Sequence, residues 1–171
     1  MAFIGSVKEG KTHNAGWFLA HEECTRETRE IPQSLATTAE NGTKYVPMGK
    51  IFPSADGNAI GIVYEDTDVT VGNMPGSVVT KGEVYEDRLA DAVDSYSTAT
   101  VPSGGNPKEL GLYERSGSAG AYVYTLTEDT TAGDGKTYYS YDGKLIPSAA
   151  KTALAAVGIK FVAETAVTRP Y

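Results

Sequence analysis

Glu65, Asp66 and Asp68 form the densest acidic cluster in this 171-residue chain. Three carboxylates so close could take up a hard divalent cation, or divide into a general acid and a general base. A calcium loop, however, needs a glycine at its middle position, and none stands there. Carboxylates at a strand end beside a turn are ordinarily solvated, so no metal site is expected. The two histidines, His13 and His21, lie near the N-terminus without a Ser or Cys partner on a rigid element, which argues against a catalytic triad. Ser116-Gly117-Ser118-Ala119-Gly120 misses the Gly-x-Ser-x-Gly elbow because Ser116 replaces the first glycine, and no helix is predicted after it. It reads as a turn. Phosphate-cradling glycine patterns are absent. The expectation is a protein that is not an enzyme and uses no cofactor.

The elements around these residues read mainly as β. Ile60, Ile62 and Tyr64 alternate with Gly61, Val63 and Glu65, the period of a half-buried strand. Asp68 to Gly76 carries turn chemistry, and Ser77 to Tyr85 is a second strand rich in Val and Thr. Asn41-Gly42, set between Leu35-Ala36-Thr37 and Tyr45-Val46-Pro47, predicts a tight hairpin. Pro47 and Pro53 place the second arm of that hairpin near an edge or a bulge. Residues 86–93 suit a short helical turn. Pro147 to Gly158 is the one convincing helix: Ala is the best helix former, Gly158 stands where a helix stops, and Ala150, Leu154 and Val157 share a face. Ile159 to Ala163 then alternates as a closing strand.

Residues 94–109 are rich in Ser, Thr, Gly and Pro and read as a connector. Three short aromatic β-runs follow, at 111–116, 121–127 and 136–141, which predicts a small meander. Seven of the eleven tyrosines fall between residues 96 and 141. Tyr buries a ring while keeping its hydroxyl wet, so this segment suits either a thin flap or a contact surface, with Tyr113, Tyr122, Tyr124, Tyr138 and Tyr139 as exposed contact residues.

A net charge of −7 disfavours a nucleic-acid partner, which needs clustered Lys and Arg. Cys24 alone cannot form an internal disulfide, which suits folding in a reducing cytoplasm. No apolar run approaches the length of a membrane span and no signal peptide is evident, so no membrane partner is expected.

At the N-terminal end, residues 1–14 lack anchors and are expected to form a tail. Gly16-Trp17-Phe18-Leu19-Ala20 is an apolar knot, followed by the polar, strand-like Cys24 to Ile31, whose backbone groups must be paired with something. Either the segment is an edge strand of its own sheet, or it adds to the sheet of a neighbour. In the second case Trp17, Phe18 and Leu19 are apolar anchors, and Arg26, Glu27, Thr28 and Arg29 lie on the pairing arm.

Three stretches resemble one known family. "A-I-G-I-V-Y-E-D-T-D-V-T" with "G-S-V-V-T-K-G-E-V", "G-x-F-L" with "T-R-E-T", and "A-A-K-T-A-L-A-A-V-G-I-K-F-V" are similar to the central strands, the N-terminal arm and the C-terminal helix and strand of lambda-type head decoration (capsid cement) proteins of tailed bacteriophages. The resemblance implies a mainly β fold with one C-terminal helix (α+β). It implies an N-terminal capsid-binding arm at 1–35, a decoration-type domain at 36–93 plus 144–171, and an inserted Tyr-rich meander at 94–143. It further implies a virion protein, made in the host cytoplasm, that binds the major capsid protein on the outer surface of the shell as a homotrimer and stabilises it. The alternative is a receptor- or glycan-binding adhesin module of a phage particle, suggested by the tyrosines.

Overall fold

A computed structural model of the chain describes residues 14–133 and 135–163. The described residues are mainly β with a single α-helix near the C-terminal end. Its strands are β1 (Thr25–Ile31), β2 (Thr37–Thr38), β3 (Lys44–Val46), β4 (Ile51–Phe52), β5 (Gly61–Val63), β6 (Thr67–Asp68), β7 (Met74–Tyr85), β8 (Val93–Ala99), β9 (Tyr113–Ser116), β10 (Val123–Leu126) and β11 (Tyr138–Leu145). Helix α1 (Ser148–Val157) and β12 (Ile159–Val162) complete the order. The chain divides into two compact units. One is built from the described residues up to Ala92 together with those from Ile146; the other is Val93–Leu145.

The first unit is organised on β7. Its Val78, Val79 and Val84 are fully buried, and β-branched side chains of this kind pack well on a pleated surface. A five-stranded sheet runs β1-β7-β5-β4, with β12 added in parallel to β7, from Ile159 opposite Gly82 to Val162 opposite Tyr85. Two cores lie on its faces. Ile62 and Val79 pack with Phe18, Ile51, Leu89, Ile146 and the helix residues Ala150 and Leu154, while Val63 and Val78 pack with Ile31, Val46, Phe52 and Val69. The second core is covered by a three-stranded sheet, β2-β3-β6, in which the Asn41-Gly42 turn joins Thr37 and Thr38 to Tyr45 and Lys44. Gly42 takes φ +82°, the left-handed conformation such a turn demands.

Two expectations change here. The segment around Ile62 is not half-buried: Gly61, Ile62 and Val63 are all buried, because the small sheet covers the face that alternation had assigned to solvent. Gly61 is required by close approach, since a Cβ there would lie 2.5 Å from Val78 Cγ1 and 2.6 Å from the Val79 carbonyl oxygen. The second change concerns the arm. Cys24 to Ile31 has a mate within the chain: β1 pairs antiparallel with β7 from Thr25 opposite Lys81 to Ile31 opposite Met74. The edge-strand reading is the one observed.

Helix α1 follows Pro147 and ends at Gly158, which adopts φ +117° and closes the last turn with its N–H. Its small residues bring it close to the sheet, with Ala150 and Leu154 fully buried.

In the second unit the strand order is β10-β9-β11-β8. Residues 94–99, expected as connector, form most of β8, because seven positions of β8 pair with β11, from Val93 opposite Leu145 to Ala99 opposite Tyr138. Hydroxyl-rich side chains concealed a strand whose pairing lies forty residues later. Pro107, Leu112, Thr127 and Tyr138 are the buried residues behind this sheet.

Candidate functional site

The N-terminal segment bearing the predicted anchors lies along the end of β7. Leu19 bridges Val84; the Ala20 N–H donates to the Glu83 carbonyl at 2.8 Å, and the Tyr85 N–H donates to the Phe18 carbonyl at 2.8 Å. Phe18 is fully buried and Leu19 packs against the same core. Phe18 is therefore a core residue, not a surface anchor, because the bridge at Leu19 turns its ring inward. Trp17 is 37% exposed, with the Arg88 guanidinium 4.7 Å from its ring centroid and 4.3 Å from that of Tyr85. Arg88 Nη1 also donates to the Trp17 carbonyl at 3.0 Å. On β1, the outermost strand of its sheet, Arg26, Glu27, Thr28 and Arg29 are all exposed. Arg26 covers the Tyr64 ring at 4.3 Å, and Arg29 pairs with Glu27. Alternating charge on an edge strand discourages indiscriminate strand addition while leaving its outer backbone groups accessible.

The carboxylates at 65–68 build turns. Asp66 accepts the Met48 N–H at 2.7 Å, and Asp68 accepts the Thr70 hydroxyl at 2.6 Å and its N–H at 2.9 Å. Those two bonds, the hydroxyl first, hold the Asp68 carboxyl below the usual carboxylate range. Among the described residues no three of His, Cys, Asp or Glu gather as metal ligands. His21 sits 3.2 Å from Glu83 on the surface; His13 lies outside the described residues, as do residues 1–13 of the tail expected at 1–14. At Ser116-Gly117 the chain turns: Gly117 has φ +89°, and a Cβ there would meet the Ala121 carbonyl oxygen at 2.5 Å.

A second chemically distinctive surface belongs to Val93–Leu145. Residues opposite one another in antiparallel strands share a face, as do residues two apart. The register therefore places Tyr96, Tyr113, Tyr124, Tyr139 and Tyr141 together on the front of the sheet with Arg115 and Leu126. Tyr96 stacks on Tyr124 with ring centroids 3.9 Å apart and planes 6° from parallel, and meets Tyr113 edge-on at 5.1 Å. Tyr124 meets Tyr139 edge-on at 5.4 Å. Arg115 lies 4.2 Å from the Tyr122 ring centroid and 4.9 Å from that of Tyr139. The Tyr141 hydroxyl donates to Asp94 at 2.9 Å, and this bond, followed by desolvation, raises the Tyr141 pKa. Burial, with the Asp94 charge second, raises that of Tyr96.

Of the five tyrosines expected to be exposed, Tyr122 is, and Tyr113 and Tyr124 are half-buried. Tyr138 and Tyr139 are buried, for opposite reasons. Tyr139 lies beneath Arg115 and Tyr124 on the front; Tyr138 points to the back, where its hydroxyl donates to Asp129 at 2.8 Å. Sequence reasoning missed Arg115 and the front-facing Tyr96 and Tyr141. Alternation along each run would have found them once the strand register was known.

No protein-family model, no curated protein and no solved structure matches this chain. Among the described residues, no helix is long and apolar enough to cross a membrane.

Proposed function

We propose that this protein is a structural subunit of a phage particle that binds the outer surface of the capsid shell and stabilises it. The observation that supports this reading is the meeting of two distant stretches. The central strands and the C-terminal helix and strand, which resemble consecutive parts of a decoration protein, are separated by Val93–Leu145 yet join in one sheet and one core. β12 pairs with β7, and Leu154 and Ile159 pack with Val79 and Val84. β1 has its mate in β7, so an unmated arm is no part of this reading.

Contact with the shell is assigned instead to the outer edge of β1 and to the exposed ring of Trp17. A trimer, as the resemblance implies, would present three such edges at once, and linked modest contacts clamp a lattice that none could hold singly.

The test incubates the full-length protein with expanded shells assembled from the major capsid protein of the same particle. Saturable co-sedimentation and slower thermal rupture of the shells are expected, with weaker binding by Trp17→Ala and Arg29→Glu, both surface changes. Shells that neither bind the protein nor gain resistance would end this reading.

A further inference from the structure

The front of the Val93–Leu145 sheet carries a cation, Arg115, that has no counter-charge among the described residues. Lys108 is paired with Glu128, and Lys136 with Asp129 at 2.5 Å and Glu114 at 3.8 Å. Among the described residues neither Arg115 nor Lys144 has a carboxylate within ion-pair distance, and the Arg115 guanidinium rests instead on the rings of Tyr122 and Tyr139. A guanidinium seated over aromatic rings can still present N–H donors at its rim, and that planar fork matches a carboxylate.

Around that cation the surface is built of rings. Tyr122 and Tyr141 are 42% and 46% exposed, and the Tyr96–Tyr124 stack lies between strands of the same face. Tyrosines packed against one another lose little further freedom on binding and offer apolar ring surface with hydroxyls at its margin. The C–H face of a pyranose ring is complementary to an exposed ring such as Tyr122 or Tyr141, and its hydroxyls to the Tyr and Asp94 oxygens.

We propose that this face is a binding site for an acidic saccharide, one that carries a carboxylate among neutral sugar rings. The carboxylate pairs with Arg115 and the neighbouring rings lie on Tyr122 and the tyrosine array. Charge selects this class over a nucleic acid: the unit holds four basic against seven acidic residues, whereas a polyphosphate needs a row of cations. A guanidinium seated among rings suits an acid set among sugar faces. This inference concerns the second unit alone and stands whether or not the first unit binds a capsid.

The experiment uses the full-length chain and paired probes: oligogalacturonate, an oligomer of alternating glucuronic acid and N-acetylglucosamine, and sialyl-lactosamine. Each is measured beside its neutral counterpart, with a short oligothymidylate as the other polyanion. At least one acidic saccharide is expected to bind with a Kd near or below about 1 mM and to exceed its neutral counterpart by about tenfold. Arg115→Gln removes that preference, Tyr122→Ala weakens acidic and neutral binding alike, and Lys108→Gln changes neither. All three positions are exposed, so circular dichroism spectra matching the parent protein are expected. Failure of every acidic saccharide to bind, an undiminished acid preference in Arg115→Gln, or tighter binding of oligothymidylate would each overturn the assignment.

Discussion

Ile146 donates its backbone N–H to the carboxylate of Glu86 at 3.1 Å, across sixty residues of chain. The same carboxylate binds Lys151 Nζ at 2.5 Å and is only 12% exposed, so one side chain holds both the backbone at Ile146, just before α1, and the first turn of α1.

Glu86→Ala strands the Ile146 N–H and leaves Lys151 without its partner. Hydrogen bonds to charged groups contribute about 1.5–3 kcal/mol each, so a loss of about 2 kcal/mol is expected, and Glu86→Gln, which keeps an acceptor, should lose less. Urea unfolding midpoints check this. Equal midpoints for Glu86→Ala and the parent would refute the clasp.

Neighbouring residues of the N-terminal segment should behave oppositely. Phe18→Ala opens a cavity in the main core and costs about 3–5 kcal/mol. Trp17→Ala removes an exposed ring and its contact with Arg88, which amounts to about 1 kcal/mol or less. If denaturant unfolding ranked the two the other way round, the inward placement of Phe18 would be wrong.

At Gly61 the added methyl of an alanine meets backbone and a buried valine, with no flexible side chain to give way. Overpacking of this kind costs about 1–3 kcal/mol. Gly42→Ala tests a different liability, strain at positive φ with open space around the Cβ, and should cost about 1 kcal/mol. Thermal midpoints for the pair, with Gly61→Ala the lower, are the expected result.

The Asp129 carboxyl is held below its usual range by Lys136 first and the Tyr138 hydroxyl second, and Lys136 is raised by the same pairing. A depressed acid contributes stability above its unfolded pKa, about 3.9, and loses it as pH falls through the lower folded value. The raised lysine contributes below about 10.4 and loses it as pH rises through its higher folded value. Between these limits the pair is insensitive to pH. Accordingly, the difference in thermal midpoint between Asp129→Asn and the parent should be constant near neutrality and shrink in acid below about pH 4. A difference that persisted undiminished in strong acid would contradict the pairing.

Much of the first unit was legible because its signals are local. The alanine run before Gly158, the Asn41-Gly42 turn and the valines of β7 each announce an element within a few residues. What escaped depends on partners far away in sequence. Val63 looks like a solvent-facing residue until Val46 and Val69 arrive to cover it. The charges of Arg26, Glu27 and Arg29 suggested an unmated arm, since strand pairing is made by the backbone and side-chain types do not report it; the mate, β7, begins more than forty residues later. Likewise the Ser and Thr of β8 read as connector, although β11 pairs with them throughout. Seven tyrosines were visible as a cluster, but which of them share a face with Arg115 follows only from register.

Val93 and Leu145, the first and last residues of the second unit, stand opposite each other in paired strands. Chain therefore departs and returns through one doorway two strands wide. A module whose own ends lie side by side is thus the kind that could take the place of residues 93–145 between Ala92 and Ile146.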